Sequence, residues 1–159
     1  MPIYLDQCQR EVDIPSKPLR IVSTVPSQTE FLSALGLDEY LLGITAYCVH
    51  PIHYLREKVV IGGTKDLQIE KIKSLKPDLI IANKEENIKE QIEELAKNIP
   101  VWLSDINTVD NALEMMTSLG EICQEEVKAQ KIISIIQEKR QSLGHLPKRK
   151  ALYFIWKDP

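Results

Sequence analysis

An alternation constrains this chain more than any other feature of it. Short apolar runs at residues 20–25, 41–45, 59–61, 79–82 and 100–104 are separated by segments with apolar residues at helical spacing. A run such as LIIA at 79–82 is nearly continuous in apolar character, as expected of a strand covered on both faces. Strands alternating with amphipathic helices predict an α/β fold: an open, mostly parallel sheet flanked by helices.

Local signals refine the elements. Residues 3–14 read as a small hairpin or extended arm closed by Pro15 and Pro18. Ser27 and Glu30 stand at capping-box spacing after Pro26, and Gly36 suits the end of the helix they open. Phe31, Ala34 and Leu35 give that helix its apolar face. Asp66 is expected to cap a short helix with Ile69, Ile72 and Leu75 inward. Residues 85–97 form an amphipathic segment, with Glu85 and Glu86 placed where a helix dipole favours acids. Thr108 opens another helix, which Gly120 is expected to break or bend. The longest helical signal spans 124–143, with Ala129, Ile132, Ile133, Ile136 and Leu143 on one side. His145 then fits the negative end of its dipole. Residues 151–156 (ALYFIW) read as a strand without a helix after it. The resulting division is a lobe at 1–120, a long helix at 121–146, and the first strand of an absent second lobe at 147–159.

Composition excludes several classes. The net charge of −3, with lysines and arginines interleaved with acids, offers no basic stripe for nucleic acid. No apolar run approaches the roughly 20 residues needed to span a bilayer. The first residues, MPIYLD, lack a basic head, an apolar middle and a cleavage site, so either a signal has been removed or the protein is not exported. Cys8, Cys48 and Cys123 are odd in number and form no C-x-x-C pair, which argues against a zinc ribbon or a dense disulfide framework. His50 and His53 lie beside Cys48, but Pro51 interrupts any regular spacing and no second ligand cluster follows, so no metal site is assigned. Cys8, Cys123, Trp102 and Met116 read as packing residues. There is no G-x-G-x-x-G, Walker-type loop or G-x-S-x-G elbow, and the chain is read as a non-enzyme without a cofactor.

Ligands of open parallel sheets bind beyond the carboxyl ends of the strands. The residues there are Pro26 and Ser27, Thr45 to Cys48, Gly62 to Thr64, Asn83 and Lys84, and Asp105. Two glycines permit close approach to backbone. Tyr47 offers a flat apolar face with a hydroxyl at its tip. The candidate ligand-binding set is Pro26, Ser27, Tyr47, Cys48, Gly62, Gly63, Asn83 and Lys84.

The ordered segments RIVSTVPSQTE at 20–30, ALG at 34–36, LGIT at 42–45, Tyr47 and Cys48 with Pro51, Gly62 and Gly63, IEKI at 69–72, LKPDL at 75–79, and Ala82 with Asn83 resemble the periplasmic binding proteins of the helical-backbone type. Within that family the chain looks most like the cobalamin-binding branch. The resemblance implies one lobe of a bilobal solute-binding protein of an ABC importer, with a long backbone helix between lobes. It implies a bound cobalamin, siderophore or haem, a permease partner, and a periplasmic or cell-envelope location. It places family ligand contacts at Pro26, Ser27, Tyr47, Gly62 and Gly63, and a permease-docking acid at Glu70. Gly62 stands where the enterobacterial-type cobalamin proteins carry a tryptophan. The alternatives are a small α/β enzyme with a nucleotide or cofactor at the Pro26–Ser27 turn, and a solitary sensor lobe.

Overall fold

The computed structural model describes residues 2–15, 17–144, 150 and 152. His145 and most of the expected strand at 151–156 lie outside them. The chain opens with an antiparallel hairpin of β1 (Ile3–Leu5) and β2 (Glu11–Asp13). Five parallel strands follow: β3 (Ile21–Ser23), β4 (Leu41–Ile44), β5 (Val59–Val60), β6 (Leu79–Asn83) and β7 (Val101–Ser104). Their spatial order is β5-β4-β3-β6-β7. The chain therefore builds outward from β3 to β5, then crosses back to add β6 and β7 on the other side. That reversal makes a topological switch point between β3 and β6.

Side chains along a strand point alternately to opposite faces, and the buried residues separate accordingly. Ile21, Leu79, Ile81 and Trp102 join one core, which α1 (Pro26–Ala34), α5 (Val109–Ile122) and α6 (Glu126–Leu143) cover with residues such as Leu32, Leu119 and Ala129. Val22, Ile80, Ala82 and Val101 join the second, covered by Ile72 of α3 (Ile69–Ser74) and Ile92 and Leu95 of α4 (Lys89–Ala96). Both faces of the sheet are thus buried, as the apolar strand runs require.

The hairpin is fastened beside β7. Asp6 is buried, and its carboxylate accepts from the Cys8 and Arg10 backbone N–H groups and the Arg10 guanidinium. The Gln7 N–H donates to the Leu103 carbonyl at 3.2 Å, and Val12 and Ile14 enter the first core.

Several helix boundaries differ from the sequence expectations. Pro26 occupies the start of α1, Val25 is its N-cap, and Ser27 makes no capping bond. Proline suits that position because its missing N–H is not needed there and its fixed φ is already helical. Gly36, at φ +78°, does close the helix: its N–H donates to Ser33 and that of Leu37 to Leu32, a Schellman arrangement. Helix α3 begins after Gln68, so Asp66 does not cap it. Helix α4 begins at Lys89, because Asn83 Oδ1 accepts from the Glu85 and Glu86 N–H groups and folds 84–88 into a turn. A short helix, α2 (Tyr54–Glu57), was not anticipated. Thr108 caps α5 as expected, accepting from Asn111 N–H at 3.1 Å. Gly120 does not break α5; the helix runs on to Ile122, and the turn comes at Gln124 with φ +58°. Of the expected α6 stripe, Ala129 and Ile133 are buried, whereas Leu143 is exposed.

Candidate functional site

The carboxyl ends of β3, β4 and β5 converge through side-chain and backbone bonds. Thr29 of α1 hydroxyl-bonds Ser23 at 2.8 Å and contacts the Cys48 sulfur at 3.2 Å, which joins the Pro26 turn to the loop after β4. Thr45 meets the same sulfur at 3.3 Å. Cys48 is 1% exposed, so its thiol faces inward and supports the loop from beneath; the expectation that it faces ligand is corrected. The Ala46 N–H donates to the Gly62 carbonyl at 2.9 Å, which joins the β4 loop to the β5 loop.

Tyr47 is 62% exposed at this junction. Its ring packs against Gly63, where an added Cβ would stand 3.2 Å from a ring carbon. Gly62 adopts φ +102°, and an added Cβ would meet the Asp66 carbonyl oxygen at 2.1 Å. The glycine pair therefore serves the turn and the tyrosine, where sequence reasoning anticipated close approach of ligand to backbone. Ser27 is exposed and Pro26 half-buried at the start of α1. Pro26, Ser27, Tyr47, Gly62 and Gly63 thus stand at the carboxyl ends of β3, β4 and β5.

Asn83 and Lys84 are placed differently. Asn83 ends β6 and Lys84 follows it, on the other side of β3 from Tyr47. Asn83 is buried, and its amide donates to the Ser104 hydroxyl at 3.0 Å, so its side chain braces β7 rather than facing ligand. Lys84 is exposed and pairs with Asp105 at 2.6 Å. That bond holds the Lys84 ammonium above its ordinary range and the Asp105 carboxyl below its own. Both residues, with Cys8, Arg10, Ile92 and Leu103, line a separate cavity of about 310 Å³ against α4 and the hairpin.

Beneath the switch point lies a polar network that sequence reasoning missed. The Thr24 hydroxyl donates to Asn87 Oδ1 at 2.7 Å, and the Asn83 N–H donates to the same oxygen at 2.9 Å. Gln28 Nε2 donates to Ser104, and the Ser104 hydroxyl donates to the Ala82 carbonyl at 3.1 Å. Gln28 Oε1 is the buried acceptor left without a partner among the described side chains. No local motif marks these residues, since the bonds join positions as far apart as 28 and 104.

Glu70 projects from the first turn of α3 with its side chain 88% exposed. Lys73 bridges it at 3.1 Å to Glu94 of α4 at 3.0 Å. Glu94, held also by Lys97 at 2.6 Å, is drawn down to about 2 by hydrogen bonds from Lys97 and Lys73. His53 lies edge-on to Tyr54 and 3.9 Å from Glu57, and among the described residues no three metal-binding side chains cluster. No helix of the described residues is long and apolar enough to cross a membrane.

Residues 21–155 match the family model described as periplasmic binding protein. The chain belongs to this family. It is 29% identical over 129 residues to the vitamin B12-binding protein of Pectobacterium atrosepticum, covering 80% of this chain and 46% of that protein. It is 28% identical to the uncharacterized ABC transporter substrate-binding lipoprotein YvrC of Bacillus subtilis, covering 99% of this chain and 54% of that protein. The chain thus spans about half the length of these relatives. Among solved structures, the periplasmic vitamin B12-binding protein BtuF of Vibrio cholerae superposes with a TM-score of 0.74 at 28% identity, over 81% of this chain and 51% of that one. The molybdate-binding protein MolA of Haemophilus influenzae superposes at 0.80 with 18% identity, over 91% and 53%, a likeness of fold alone. The relatives and solved structures named here are described as binding proteins.

Proposed function

We propose that this chain is the ligand-capturing lobe of the solute-binding component of an ABC importer, and that it takes cobalamin or a related metal chelate. The observation that carries the reading is Tyr47: an exposed aromatic ring packed against Gly63 at the ends of parallel strands. Capture needs no bond chemistry. It needs a preformed surface that supplies an apolar face with a few polar groups at its edge. Pro26, the Ser27 hydroxyl and the Tyr47 phenol supply these. The names of the relatives, vitamin B12-binding proteins among them, support a macrocyclic chelate as ligand.

Glu70 is the proposed point of contact with a permease. Its carboxylate stands clear of the surface, and docking on an arginine would draw it from Lys73 while Glu94 keeps that lysine paired. Such a protein works in the cell envelope. The proposed division places residues 1–120 in the lobe, 121–146 in the connecting helix, and 147–159 at the start of a second lobe.

Calorimetric titration of cyanocobalamin, haemin and a ferric hydroxamate siderophore into the chain tests the reading. One lobe covers a ligand on one face and forfeits contact area, so a Kd between about 10 μM and 1 mM is expected for one of the three. Tyr47→Ala is expected to weaken that binding at least about tenfold. Absence of heat with all three, alongside tight binding of ATP, NAD or FMN, would overturn it.

A further inference from the structure

We infer that Asn87 and Gln91 are positioning residues for Tyr47, which set its ring by holding the loop beneath it from the far side of the sheet. The inference rests on the capture reading given above only where it concerns affinity.

Asn87 is 6% exposed and sits in the turn between β6 and α4. Its Oδ1 accepts from the Asn83 N–H and the Thr24 hydroxyl, at 2.9 and 2.7 Å. Its Nδ2 donates to the Thr64 carbonyl at 2.9 Å and reaches the Thr24 carbonyl at 3.4 Å. One side-chain amide thus saturates both its donors and both its acceptor sites on three strand-end segments: those after β3, β5 and β6. An amide can do this because it carries two donors and a two-fold acceptor on a short rigid stem. A carboxylate could not donate to Thr64, and an apolar residue would leave a buried N–H and two carbonyls without this partner.

A second tether runs parallel to the first. Gln91 Oε1, from α4, accepts the Leu67 N–H at 3.2 Å. Around the two tethered residues, Thr64 and Leu67, the loop turns tightly: the Gly63 N–H donates to the Asp66 carbonyl at 3.1 Å, and Gly62 bridges Leu67. Asn87 and Gln91 therefore fix the height and tilt of Gly63, and Gly63 is the surface on which the Tyr47 ring rests. β5 and β6 are separated in the sheet by β4 and β3, so no strand pairing supplies this link. The side chains do.

The test follows the Tyr47 ring by NMR in ligand-free protein labelled at tyrosine, assigned with Tyr47→Phe. Asn87→Ala and Gln91→Met are each expected to shift or broaden the Tyr47 ring signals. Leu119→Ala, on the buried face of α5, serves as a destabilised control and should leave them in place. In parallel, Asn87→Ala should weaken binding of the chelate that the wild type takes by about tenfold, while the control binds as wild type per folded molecule. If Asn87→Ala does not fold, Gln91→Met on the half-exposed tether decides alone. Unmoved Tyr47 signals in the folded tether variants, or the same movement in the control, would overturn the inference. A wild type that binds none of the three chelates would overturn the capture reading, and the ring signals would still judge the tethers.

Discussion

Gly62 shows how a residue that looks like a ligand contact can be a condition of the turn. At φ +102° it occupies backbone space that a side chain strains, and a Cβ would lie 2.1 Å from the Asp66 carbonyl oxygen. Gly62→Ala is therefore expected to cost about 1–3 kcal/mol, read as a lower urea midpoint with an unchanged slope. An alanine that left the midpoint in place would mean that the turn relaxes without cost. The glycine pair was legible in the sequence, and so was Tyr47 beside it. The roles of Asn87, Thr24 and Ser104 were not, because their partners are set by which strands become neighbours and not by spacing along the chain. Ser27 misled for a local reason: Pro26 claims the first helical position, so the cap falls on Val25. Cys48 misled because a residue at a strand end can point into the core as readily as out of it.

The elements carry two further expectations. The end of α1 is joined to α2 through Asp38. Its carboxylate accepts from the Tyr54 hydroxyl and, at 3.2 Å, from Ser33, while its backbone carbonyl accepts from Lys58. Burial alone would raise the Asp38 carboxyl, but the bonds from Tyr54 and Ser33 and the Lys58 charge outweigh it, so it lies below the ordinary aspartate value. A depressed folded value means that ionised Asp38 favours the fold at pH above the unfolded value, near about 4. That contribution fades as pH falls through the folded value. Asp38→Asn should thus be less stable than wild type at neutral pH, and the gap in urea midpoint should close in acid. A gap that persists unchanged in acid would assign the loss to packing. The same joint pushes the Tyr54 phenol up to about 12, through burial first and Asp38 second. At the other end, α5 and α6 approach closely at Gly120, where a Cβ would stand 2.5 Å from that of Ala129. Gly120→Ala should cost about 1–3 kcal/mol of stability by overpacking, and Ala129→Gly in the same chain should recover part of it. Sequence reasoning took Gly120 for a helix break because glycine disfavours helix interiors. The structure uses it for contact between helices. The long amphipathic helices were otherwise legible, whereas the four-residue α2 was too short to leave a period.

At the scale of the molecule, the order β5-β4-β3-β6-β7 follows from a chain that winds outward from β3 and then reverses. The alternation of apolar runs and amphipathic segments predicts a parallel sheet buried on both faces, and β3, β6 and β7 divide their buried residues between the two cores accordingly. The strand order itself was not written in that alternation. Order decides which of the candidate residues meet: it gathers Pro26, Ser27, Tyr47, Gly62 and Gly63 on one side of the switch point and sets Lys84 and its cavity on the other. The proposed chelate site lies on the Tyr47 side. The most direct measurement is a map of backbone amide shifts in the labelled chain as cyanocobalamin is added. Saturable changes are expected at Ser27, at Ala46 and Tyr47, and at Gly62 to Thr64, with little change around Thr117 and Gln130 in the groove between α5 and α6. Changes centred on that groove, or on Cys8 and Lys84 with Tyr47 unmoved, would contradict it.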